Sequence, residues 1–157
     1  MSHLRKTVLL LFPLLFLLAG SGCSTEEIKK SENSSRIRAL YDSLDRIRKV
    51  YESKNGSEFL ASLSPGYPNL DQVKSRNAEI FKKYEQITLR FVVDHIVLEK
   101  TSSSLAVRWE GEWSHPNEES LKLKGNSILK FSNSESPLLI EIDGISPFSA
   151  SGPDARS

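Results

Sequence analysis

The sequence predicts an α+β domain in which N-terminal helices pack on one face of a curved four-stranded antiparallel sheet. Three observations carry this. Between Arg36 and Gln86 the apolar residues recur at three- and four-residue steps, the period of an amphipathic helix. Beyond Ile87 the period drops to two, as in a strand with one buried face. The alternation then repeats cleanly over three successive strands, which is the pattern of an antiparallel sheet with one wet face.

The first helix is expected from Arg36, capped by Ser34 or Ser35, with a stripe of Ile37, Leu40, Tyr41, Leu44, Ile47, Val50 and Tyr51. Asn55–Gly56 stops it. "SEFLASL" adds one or two helical turns, with Ser57 as N-cap and Phe59, Leu60 and Leu63 turned inward. Two prolines and a glycine in "SPGYPN" cannot continue a helix and force a loop. Asp71 or Asn69 then caps a second long helix through about Gln86, its stripe being Val73, Asn77, Ile80, Phe81 and Tyr84.

The first strand, "ITLRFVVDHIVLEK", is long and expected to be bulged, because both phases are apolar at Val92–Val93 and again at Ile96 to Leu98. "SLAVRWEGEWSH" puts Leu105, Val107, Trp109 and Trp113 on one face and Arg108, Glu110 and Glu112 on the other. "SLKLKGNSILKF" sets Leu121, Leu123, Leu129 and Phe131 against Lys122, Lys124 and Lys130. "LLIEIDGI" is expected to turn Leu138, Ile140 and Ile142 inward and Glu141 and Asp143 outward. Outward charge by strand is then acidic, basic, acidic, which suits cross-strand pairing in a meander.

This element order, over residues 36–148, resembles the nuclear transport factor 2-like superfamily, the cone also described as cystatin-like. That superfamily includes ketosteroid isomerases, polyketide cyclases and many non-catalytic domains. The resemblance rests on element order, not on a motif, and the usual hairpin between the helices is missing or reduced to "SPGYPN".

The N-terminus carries a different signal. Arg5 and Lys6 precede "TVLLLFPLLFLLAG", an apolar run interrupted by Pro13 and shorter than the roughly 20 residues a spanning helix needs. Small residues then lead from Ala19 into Cys23, the only cysteine. Residues 1–24 resemble the bacterial lipoprotein signal, although Gly20 stands where that family prefers Leu. The resemblance implies cleavage of the Gly22–Cys23 bond, a diacylglyceryl group on the Cys23 thiol and acylation (palmitate-type) of the new amine. A lone exported thiol cannot form an internal disulfide, and two or more acyl chains hold a protein stably on a membrane. Ser24 in place of Asp implies the outer membrane, facing the periplasm, in a Gram-negative organism. The expected organisation is a cleaved signal at 1–22, the lipidated cysteine and a flexible tether at 23–35, the globular domain at 36–148 and a disordered tail at 149–157.

Without residues 1–22 the chain has 19 basic and 20 acidic residues, a balance that gives no field to steer nucleic acid. No phosphate loop, no catalytic triad and no metal-ligand spacing is present, and no cofactor is implied. In catalytic cones a carboxylate base and a proton donor point inward. Only adjacent Asp94 and His95 offer such a base here, with tyrosines as donors. Tyr41, Tyr84, Trp109 and Trp113 are the candidates for lining a pocket. The inward positions of the last three strands carry no ionisable residue, so the sequence favours a non-catalytic domain that binds another envelope protein or a second copy of itself. The alternative is a binder of a small apolar ligand, or an isomerase- or cyclase-like enzyme, using the cone interior.

Overall fold

The computed structural model describes residues 25–150, with side chains from Ser31 onward. The chain divides into two compact units, residues 1–32 and 33–157, and of the first only the helical stretch from Thr25 is described. The signal segment, Gly22 and Cys23 lie outside the described residues.

Helix α1 (Thr25–Glu52) begins eleven residues ahead of the expected Arg36 and takes in most of the stretch expected as a tether. Glu and Lys dominate "TEEIKK", and both are strong helix formers that no cap residue interrupts. Within the second unit α1 buries Leu40, Ser43, Leu44, Ile47, Val50 and Tyr51, whereas Tyr41 is 45% exposed. The buried stripe is therefore narrower than the apolar one, and Tyr41 lies beyond its edge. On the wet face Arg48 pairs with Asp45 at 2.6 Å and Glu52 at 2.7 Å, and Lys49 with Asp45 at 2.7 Å.

Helix α2 (Gly56–Ala61) is capped by Asn55, whose side chain accepts from the Glu58 backbone N–H, and not by Ser57 as expected. The Ser57 hydroxyl instead donates to Asn55 Oδ1 at 3.0 Å. Helix α3 (Leu70–Lys83) follows Asn69, which is left-handed at φ 53° and makes no side-chain cap. It ends where Tyr84 turns extended, short of Gln86. It buries Asn77 and Ile80, and Phe81 packs on the core's flank.

Four antiparallel strands follow in the spatial order β1 (Gln86–Leu98), β2 (Ser102–His115), β3 (Glu118–Ser132) and β4 (Leu139–Gly144). The expected bulge in β1 falls at Asp94, where the register with β2 shifts between Val93 and His95. A second shift, between Lys130 and Phe131, changes the expected phase of β4. Phe131 faces Leu139 and Leu129 faces Ile142, so Ile140 is the extra residue. Leu139 is thus fully buried where Leu138 and Ile140 were expected, because one inserted residue reverses the pleat. The free edge of β4 is covered by the chain after α2: Leu139 N–H donates to Ser62 O at 3.0 Å and Ser64 N–H to Leu139 O at 2.8 Å.

Two polar ties fix α1 to the sheet. Arg36 Nη2 donates to Glu99 O, Ser103 Oγ and Asn133 Oδ1 at 2.6, 3.1 and 2.9 Å. Glu52 Oε1 accepts from the Leu89 N–H at 2.7 Å, satisfying a backbone donor on the edge strand. After β4 the chain folds back, burying Pro147, Phe148 and Ser149. The tail expected from 149 therefore begins no earlier than Ala150, and residues 151–157 lie outside the described part.

Candidate functional site

The inner face of the sheet is closed by its own side chains. Trp109 stands opposite Gly125 across the β2–β3 pair, and Trp113 lies two residues from Gly111 on the same face of β2. Both indoles lie against these glycines. A Cβ built on Gly111 would sit 2.5 Å from the Trp113 ring and 2.9 Å from Leu89, and one on Gly125 would sit 2.9 Å from the Trp109 ring. Only a residue without a side chain leaves room for a ring at that distance. Trp109 Nε1 donates to Ser127 Oγ and to Ile145 O, both at 3.0 Å, which ties the ring to the segment after β4.

Above the tryptophans an aromatic cluster fills the space under the helices. Tyr51 packs on Phe59, Phe81 and Phe148 at ring-centroid distances of 5.3, 5.1 and 5.3 Å, and Phe59 on Phe148 at 5.2 Å. These are the edge-on distances favoured by aromatic rings. Burial pushes the Tyr51 hydroxyl far above its ordinary value. The Trp113 indole eases that shift, but the two groups do not meet with ordinary hydrogen-bond geometry, and both polar atoms are buried. Among the described residues the buried polar ones are serines and Asn77; no carboxylate, imidazole or amine is buried.

The sequence candidates fall on two sides of this wall. Asp94 occupies the bulge and is exposed, bound in a fork by Arg108: Nε to both carboxylate oxygens at 3.1 and 2.9 Å, Nη2 to Oδ1 at 2.9 Å. That guanidinium holds the Asp94 carboxyl below its usual range, the reverse of what a base near neutrality needs. His95 is exposed as well, opposite Ala106. The structure thus places neither inside, where one of the two was expected, because the bulge turns both outward. Of the four proposed pocket residues, Tyr84, Trp109 and Trp113 are buried as packing and Tyr41 is outside. His115 ends β2 beside the turn to β3, its Nδ1 accepting from Asn117 N–H. No group of three or more His, Cys, Asp or Glu residues with metal-binding geometry occurs among the described residues.

The outer face has a different composition. Its rows run across strands: Thr88, Glu112 and Lys122; Arg90, Glu110 and Lys124; Val92, Arg108 and Asn126. Lys122 Nζ reaches Glu112 Oε1 at 3.6 Å. A groove of about 510 Å³ runs between the first two rows. A smaller one of about 270 Å³ lies beside Asp94, Ile128 and Asp143. Val92 and Ile128 are 51% and 46% exposed on this same face. Apolar side chains set among paired charges make a surface that can dock a protein without being greasy enough to aggregate. The sequence pointed to the charges. It did not reveal the Asp94–Arg108 fork, which depends on a one-residue bulge. The glycine cradles carried a signal, since "WEGEW" spaces glycine and tryptophan on one face of a strand.

No family model matches the sequence, and no curated protein matches it. Solved structures do. A Novosphingobium aromaticivorans protein provisionally assigned as a scytalone dehydratase aligns with a TM-score of 0.66 at 12% identity, over 74% of this chain and 89% of that one. A nuclear transport factor 2-like superfamily protein from Salmonella enterica serovar Typhimurium aligns with a TM-score of 0.56 at 12% identity, over 79% and 94%. The Bdellovibrio bacteriovorus Bd1075 protein aligns with a TM-score of 0.60 at 15% identity, over 78% of this chain, which spans only 44% of that longer one. Likeness at such identities is a likeness of fold, and fold does not carry chemistry with it. The α+β fold of the described residues is the cone of the nuclear transport factor 2-like proteins, as the element order led us to expect.

Proposed function

We propose that this chain is a lipid-anchored protein of the bacterial cell envelope, held through Cys23 at the outer membrane and facing the periplasm, and that its cone is a non-catalytic interaction module. The observation that carries the second half is the division of the sheet. Trp109, Trp113, Phe131 and Leu129 are buried on the inner face, and no carboxylate, imidazole or amine is buried there among the described residues. An isomerase- or cyclase-like mechanism needs an acid or base beside its substrate, and use of the cone by an apolar ligand needs room. The outer face presents forked and paired charges around Val92 and Ile128, a surface suited to a polar, salt-sensitive contact with another envelope protein or a second copy. Support for the anchor comes from the sequence of residues 1–24 alone.

Both halves are tested in cells. Cys23→Ala should release the protein from the membrane fraction; continued fractionation with membranes would remove the anchor. Lys122→Glu combined with Lys124→Glu should abolish in-cell cross-links to the partner or second copy at unchanged expression. Cross-links that survive the double reversal would take the contact off this face.

A further inference from the structure

A second concavity lies outside the filled cone, between α3 and the edge strand β4, with a volume of about 340 Å³. Its floor is apolar, made by Phe59, Phe148, Val73 and Ile142. Phe59 and Phe148 both pack on Tyr51, so they separate this cleft from the packed interior. Its walls carry several polar side chains, among them Tyr67, Arg76, Asn77 and Glu141. Their hydrogen bonding is incomplete. The Arg76 guanidinium and the Glu141 carboxylate have no ion pair and no side-chain hydrogen bond among the described residues, although both line the same cleft. Asn77 is 3% exposed and its Nδ2 donates to nothing. A buried amide donor without an acceptor is rare in folded proteins and destabilising where it occurs. Burial, then the nearby Glu141 carboxylate, push the Tyr67 hydroxyl up to about 12, so at neutral pH it is a donor.

An apolar floor with a few convergent polar groups, one of them a buried donor without an acceptor, is the composition of a small-molecule site, and about 340 Å³ is at the low end of such sites. The two unpaired charges are of opposite sign. A ligand of one charge would satisfy one and face the other with like charge. We propose that this cleft binds a small zwitterion with an apolar side chain, an apolar α-amino acid or dipeptide, its carboxylate on Arg76, its ammonium on Glu141 and its side chains on the phenylalanine floor. Asn77 and Tyr67 then supply donors to the ligand's carbonyl or carboxylate oxygens. The site shares no residue with the anchor or with the Lys122–Lys124 face, so it stands or falls separately from the interaction role.

The test is isothermal titration of the full chain, purified in detergent, with leucyl-leucine, N-acetyl-leucyl-leucine and leucyl-leucinamide. Leucyl-leucine should bind at one saturable site, and blocking either end should weaken it by about tenfold or more, the loss expected for a charge-assisted hydrogen bond. Arg76→Gln should erase the preference over the amide, and Glu141→Gln the preference over the N-acetyl form. Both residues are exposed, so circular dichroism should show the fold intact in each variant. Three results would each overturn the proposal: no binding at millimolar peptide, equal binding of all three peptides, or binding that neither substitution alters.

Discussion

The two faces of the one sheet place the same strands in opposite physical regimes. On the inner face of β2, Leu105, Val107, Trp109 and Trp113 are sealed, and the space each ring needs is set by a glycine. On the outer face, one residue along, Arg108 and Glu112 are held by ion pairs open to water, with Val92 and Ile128 exposed beside them. The inner face gains its energy from area and shape, which salt does not touch and which tolerates little change of volume. The outer face gains little from any one pair, because exposed charges are screened and their side chains lose entropy when fixed. Stability should therefore reside on the inner face, and the recognition we propose on the outer one.

The largest way to break that division is to empty the inner face. Trp113→Ala should lower the unfolding free energy by about 3–5 kcal/mol, read from urea denaturation. A smaller loss here would mean that the ring lies in open space. Next come the cradles. Gly125→Ala and Gly111→Ala each force a methyl into an indole and should cost about 1–3 kcal/mol in the same assay. Ordinary helix or strand propensity would instead favour alanine at both positions.

Alkali sharpens the comparison at a lower magnitude. A tyrosine whose hydroxyl is raised in the folded state is neutral in both states below pH 10, so it leaves stability unchanged there. Above that pH the unfolded chain ionises first, and stability falls as pH rises. Buried Tyr51 should give a slope approaching ~1.4 kcal/mol per pH unit. Tyr67, partly open to solvent, should give a shallower fall confined between its ordinary value of 10 and about 12. Tyr51→Phe should flatten most of the alkaline arm, monitored by denaturation at a series of pH values. The smallest effect belongs to the outer face. Asp94→Asn should leave the midpoint of unfolding unchanged within error near neutral pH, since the Arg108 fork is exposed. What Asp94 does contribute is present above the ordinary carboxylate range and fades as pH falls through its lowered value.

Most of the fold was legible because its signals are periodic. The stripe from Leu40 to Tyr51 and the alternation from Leu105 to Trp113 report burial directly. The errors cluster where one residue changes the phase. Ile140 as the extra residue of β4 turned Leu139 inward, and Asp94 as the extra residue of β1 put both proposed bases in water. A bulge is set by pairing with another strand, which a single strand's pattern does not contain. Helix caps failed for a related reason: Asn55 and Ser57 are equally good cap residues, and the choice depends on where α1 unwinds. The cleft was not legible at all, because Tyr67, Arg76 and Glu141 come from a loop, a helix and an edge strand with no spacing to connect them.

Trp109 and Trp113 are the only tryptophans in the chain, so its tryptophan fluorescence, excited selectively, reports on the inner face alone. The most direct measurement is therefore acrylamide quenching of that emission in the native protein. A filled cone gives a blue-shifted emission that resists quenching until the protein unfolds. Native emission quenched as readily as that of free tryptophan would mean that the cone is open, and would contradict the division between a sealed inner face and a recognising outer one.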